Sequence, residues 1–213
     1  MINHKQQQMF SSNQTGFTII ESLVAILVAG ILLAAIAPVI VLSVGTRVQA
    51  RRVELATDLA KTYLDGVKAG TIPAPPSTGT DTLSTYKAPK ANTLTCNPND
   101  YCSQPSTDLY CMSSCSTAKD FVIQAFRYNT VSNDLTNGYG LGLRVYRVDA
   151  FKDNDSAVLK SGTKQATFTG GPGDRKSPLV EITTEISNSS TTLDSLCKRL
   201  DNASDKTTNP HCS

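Results

Sequence analysis

Residues 22–44 read SLVAILVAGILLAAIAPVIVLSV, an apolar run of 23 residues without a charge. Wound as an α-helix at about 1.5 Å per residue, it spans roughly 34 Å, enough to cross a hydrocarbon core of about 30 Å. A helix apolar on every side for this length has no polar face to turn to water, which argues against a core helix of a soluble domain. A secretory signal peptide would carry a shorter apolar region, about 7–15 residues, closed by a small-residue cleavage site. Here Ser43 and Gly45 come only after a full span, and helical periodicity continues beyond them. The expectation is a membrane-anchoring helix over 17–44, with any folded domain built from the residues C-terminal to it.

Glu21 is the only charge in 17–44. A carboxylate within an apolar run costs several kcal/mol unless it is paired or lies near the interface, which makes it a functional candidate. A solvated carboxylate at headgroup level is the other reading, and the residues alone leave both open.

The stretch Gly16-Phe17-Thr18-Ile19-Ile20-Glu21, followed by Ser22-Leu23-Val24 and the apolar span, resembles the class III signal of type IV pilins and pseudopilins. The resemblance implies a leader over 1–16 that prepilin peptidase removes after Gly16, and N-methylation of the new first residue, Phe17. Glu21 then takes the fifth position of the mature chain, and Pro38 the twenty-second, where many members keep a proline. It further implies partners: other pilins or pseudopilins, the inner-membrane assembly platform, and membrane lipid. In the assembled state Glu21 of one subunit would meet the Phe17 amine of a neighbour, an opposite-charge contact that favours both ionised forms and penalises wrong register. Pro38 lacks an N–H, so the bond to the Ala34 carbonyl is lost and a kink is expected. The leader departs from the family pattern in one respect: Asn13-Gln14-Thr15 precede Gly16 where Lys or Arg is usual, which bears on cleavage efficiency.

Lys5 lies on one side of the span and Arg47, Arg51 and Arg52 on the other. The positive-inside rule would leave the larger part of the chain in the cytoplasm. The resemblance implies the reverse, since the leader must face the cytoplasm to meet its peptidase. All six Cys fall between 96 and 212, and their even number on the far side of the span also points to an oxidising compartment. The expected location is the inner membrane, single-pass, with a periplasmic head that could enter a filament.

Over 45–70, Val53, Ala56, Ala60, Tyr63, Leu64 and Val67 recur at spacings of three and four, an amphipathic continuation of the same helix. Arg51 with Glu54, Asp58 with Lys61 and Asp65 with Lys68 add only a few tenths of a kcal/mol each. Gly70 and Pro73 supply the stop. From 17 to 68 such a helix would be roughly 78 Å long. Arg47-Val48-Gln49-Ala50-Arg51-Arg52-Val53-Glu54 reads as a solvated juxtamembrane face. Together with Pro38-Val39-Ile40-Val41-Leu42-Ser43, it also resembles pseudopilins tied to polysaccharide secretion in filamentous cyanobacteria.

Residues 71–118 are rich in Ser, Thr, Pro and Asn and are expected to form a long surface connection. Cys96, Cys102, Cys111 and Cys115 lie inside it and allow three pairings. The local one, Cys96–Cys102 with Cys111–Cys115, demands least of the fold. Cys197–Cys212 remains, and the resemblance implies it as the C-terminal disulfide loop of many pilins. A zinc site from the first four Cys is the rival, but their spacing lacks the tight knuckles of structural zinc. Within 119–213, residues 121–128, 139–151, 165–169 and 179–186 carry strand patterns, with Asn137-Gly138 as a turn. Gly170-Gly171-Pro172-Gly173 lacks the ending and following helix of a phosphate loop and reads as a turn. The fold expected is α+β and pilin-like: a long helix packed on an antiparallel sheet of about four strands, with disulfide-stapled loops.

A net charge of +2 provides no basic field for nucleic acid. The two His, at 4 and 211, leave little for His-based catalysis or zinc, and no hydrolase or metalloprotease motif is present. The expected role is therefore a non-enzymatic assembly subunit, a minor pilin or pseudopilin, without cofactor or metal. The alternatives are a type II secretion pseudopilin and a membrane-anchored periplasmic binding domain that keeps its leader and never assembles.

Overall fold

The computed structural model describes residue 16 and residues 18–117, 119–129, 134–153, 156–165 and 173–203, with side chains to 199. Phe17, Cys212, His4, His211, residues 166–169 of the expected short strand and Gly170-Gly171-Pro172 lie outside the described residues. The chain divides into two compact units, one ending at Ser43 and one beginning at Val44.

Helix α1 runs over Ile19–Lys68. Within the first unit it carries its large apolar side chains exposed, Ile19 at 86% and Leu33 at 69% among them, as a helix meant for an apolar solvent would. It continues through Pro38, although that residue can give no N–H to the Ala34 carbonyl.

In the second unit the later turns of α1 bury Ala56, Ala60, Tyr63 and Val67, the stripe at spacings of three and four. Behind it stands a five-stranded antiparallel sheet in the order β1-β2-β3-β4-β5. Its strands are β1 Asp100–Tyr101, β2 Leu109–Cys111, β3 Phe121–Tyr128, β4 Tyr139–Arg147 and β5 Val180–Ile186. Alternation sorts their side chains. Tyr110, Ile123, Ala125, Leu141, Leu143, Val145 and Ile186 join the α1 stripe in one core. Leu109, Cys111, Val122 and Tyr146 face the other way and form a second core with Ala88, Ala91, Cys102, Phe151 and Leu159. All nine residues of β4 are buried, because the long connection covers the face that α1 does not.

That cover is tied down by polar groups. Arg144 is fully buried. Its Nε donates to Glu181 Oε1 at 3.1 Å, Nη1 to Gln124 Oε1 at 3.0 Å, and Nη2 to the carbonyls of Leu83 and of Tyr86, the latter at 2.9 Å. Gln124 Nε2 donates in turn to Asp108 Oδ2 at 2.8 Å, which also accepts from the Tyr86 hydroxyl at 3.0 Å. Tyr63 of α1 shares a 2.7 Å hydrogen bond between hydroxyls with Tyr101 of β1, whose hydroxyl donates to the Pro73 carbonyl at 3.0 Å.

The sheet departs from expectation in three places. It has five described strands, because β1 and β2 form inside the segment read as a loop. They are two and three residues long, too short to show a period, and pairing fixes them, β2 on β3 and β1 on β2. The strand expected to reach 151 ends at Arg147, since Val148–Phe151 forms a 3₁₀ turn. A second helix, α2, covers Leu193–Ala203. Thr192 Oγ1 caps its start by accepting from the Ser195 N–H at 3.2 Å, a hydroxyl signal present in the sequence.

The N-terminal segment as candidate processing and assembly site

Gly16 and Thr18 are exposed and lie before the helix. Thr18 Oγ1 accepts from the Glu21 N–H at 3.2 Å, and the Thr18 carbonyl accepts from the Ser22 N–H at 3.1 Å. Thr18 is thus the N-cap, and Glu21 occupies the third helical position. Thr-x-x-Glu is the sequence form of a capping box, in which the hydroxyl satisfies one of the orphan N–H groups of the first turn. The Ser22 hydroxyl donates to the Ile19 carbonyl at 2.8 Å. The cap ends the helix at Thr18 and leaves the backbone at Gly16 outside regular structure.

Glu21 therefore has a second setting besides its place in an apolar run. A carboxylate in the first turn lies at the positive end of the helix dipole, a favourable interaction of about 0.3–1 kcal/mol. Its side chain is exposed and makes no hydrogen bond or ion pair with the described residues. Pro38 lies about five turns further along the same helix. The structure does not bring Glu21 and Pro38 together, and Phe17 lies outside the described residues. Reading the segment as a signal alone misses the cap by Thr18; the hydroxyl three residues before the glutamate is the mark of it.

In the head, Cys96 is bonded to Cys102 and Cys111 to Cys115. Cys197 is also disulfide-bonded, and its expected partner, Cys212, lies outside the described residues. Among the described residues no group of three or more His, Cys, Asp or Glu is placed to hold a metal ion.

Helix α1 is long and apolar enough to cross a membrane, which fits a single-pass membrane-anchored protein. Residues 11–37 match the prokaryotic N-terminal methylation motif. This match supports the type IV pilin/pseudopilin family, and the motif implies processing by prepilin peptidase and assembly with other pilins. No curated protein and no solved structure matches the chain.

Proposed function

We propose that the chain is a minor pilin or pseudopilin, a non-enzymatic subunit of a type IV pilus-like machine that moves polymer or protein. Prepilin peptidase cleaves after Gly16 and methylates Phe17. The head stands in the periplasm, and the subunit enters a short filament or its tip through the first half of α1. Glu21 pairs there with the Phe17 amine of a neighbour, and Pro38 lets the helix loosen as it leaves the membrane. One observation carries the reading: a single register sets Gly16, the Thr18 cap, Glu21 and the first two thirds of the apolar span inside the matched motif over 11–37.

Mass spectrometry of the membrane-extracted protein tests it. The expected N-terminal peptide begins at N-methyl-Phe17, and Gly16→Asp leaves an unprocessed chain in the membrane. A peptide that begins at Met1, in cells with an active prepilin peptidase, would make the protein a plain anchor.

A further inference from the structure

Arg51 and Arg52 of α1 come together in the head with Lys119 and Arg147 around a pocket of about 270 Å³, with Leu55 and Phe121 as its apolar wall. Every charged group lining it is a cation. Arg147 pairs with Asp149, while Arg51, Arg52 and Lys119 have no ion-pair partner among the described residues. Arg51 and Lys119 are exposed, and solvated cations of that kind need no ligand; Arg52 is half-buried. Burial first, and then the neighbouring Arg147 guanidinium, hold the Arg52 guanidinium below its usual pKa, against the opposing pull of Asp149. Cations gathered against an apolar wall are unfavourable until an anion joins them.

The chain position narrows the anion. Arg51, Arg52 and Leu55 follow Val44, the last residue of the apolar run, by no more than about three helical turns. The polar zone of a bilayer is roughly 5–8 Å deep on each side of the hydrocarbon core, and long basic side chains reach back toward it. We propose that this pocket binds the phosphate of an anionic phospholipid in the leaflet on the head's side, with the lipid's glycerol against Val48, the lining residue nearest the apolar run. The inference rests on the membrane reading of 17–44. It gives Arg51 and Arg52 a use on the side of the span where the distribution of positive charge does not otherwise call for them.

The test uses the full chain, purified in detergent. Native mass spectrometry follows its retention of phosphatidylglycerol and of phosphatidylcholine, with and without inorganic phosphate, and liposome flotation is run alongside. The wild type is expected to retain phosphatidylglycerol selectively. Arg51→Gln and Lys119→Gln, both at exposed positions, should each weaken that retention about fivefold, and the double variant about 25-fold, at unchanged melting temperature. Equal retention of both lipids, or full selectivity in the double variant, overturns the proposal. Displacement by equimolar inorganic phosphate makes the pocket a free-anion site and overturns it too. So does binding of a poly-glutamate peptide in place of lipid, which would assign the pocket to an acidic protein surface. A chain that floats with liposomes of either lipid but does not discriminate refutes the pocket alone, whereas one that floats with neither refutes the membrane anchor.

Discussion

Two residues of α1 test opposite ideas about polar groups in unfavourable places. On the proposed reading, Glu21 is set aside for another subunit. Glu21→Ala should leave the protein processed, folded and in the membrane, but poorly incorporated, because breaking a buried ion pair costs about 3–5 kcal/mol and here the loss falls on the subunit contact. The share of the variant in sheared filaments, or its crosslinking to partner pilins, measures this; normal incorporation would return Glu21 to a solvated headgroup role. Gln49 is the reverse case. It is 1% exposed, and neither amide atom has a hydrogen-bond partner among the described residues. A buried amide without partners costs about 1–3 kcal/mol. Gln49→Met keeps the volume and removes the polar atoms, so it should raise stability toward urea by about that amount. A midpoint that falls would mean that the amide is satisfied in solution.

At the scale of elements, β3 and β4 fit because two glycines make room for two rings. Phe126 stands opposite Gly142 and Tyr128 opposite Gly140. A Cβ on Gly142 would come within 2.4 Å of the Phe126 ring. That ring cannot move aside: it is fully buried, its centroid is 4.2 Å from that of Tyr86, and the Arg144 guanidinium lies 5.8 Å from it. Gly142→Ala should therefore destabilise the head by about 1–3 kcal/mol, the usual cost of overpacking, with a matching fall in the urea midpoint. A neutral result would show that the ring has another place to go. These two strands were legible in the sequence because each is eight or nine residues long and rich in β-branched and aromatic residues. The use of the two glycines of β4 could not be read, since nothing local shows a ring from the neighbouring strand lying over them. The stripe of α1 was legible for the same reason of length. β1 and β2 were not, because their place is set by pairing rather than propensity. The N-terminal motif could be read because its residues are contiguous. Lys119 and Arg147 could not be joined to Arg51 and Arg52, since only the fold brings them together.

For the head as a whole, the connection over 71–118 acts as a third layer, and it is short of apolar residues. Arg144, Gln124 and Asp108 hold part of it, backbone bonds such as Arg127 N–H to the Pro76 carbonyl and Ala91 N–H to the Ala157 carbonyl hold more, and the bonds Cys96–Cys102 and Cys111–Cys115 staple it internally. Closing loops this small lowers the entropy of the unfolded chain by an amount worth about 2 kcal/mol each in the chain-entropy account. Reduction of the folded protein should lower its stability by that order per bond, read from urea curves with and without reductant. Unchanged stability after reduction would mean that hydrogen bonds and apolar contacts alone fix these loops. The proposed third pair, Cys197–Cys212, should appear as a linked peptide in a non-reduced digest.

The stripe formed by Ala56, Ala60 and Tyr63 shares its core with Val180 and Ile186, residues made more than a hundred positions later in the chain. A ribosome adds roughly 5–20 residues each second. For several seconds after α1 emerges, its inner face has nothing to lie against. Pairings between such distant segments are slow to form, and the head cannot close before its last described strand has been made. Its birth consists of an anchored helix that waits, wetted on its apolar side, for the last strand to arrive. A chain cut short before β5 should stay in that state, held in the membrane and open to proteolysis along the stripe.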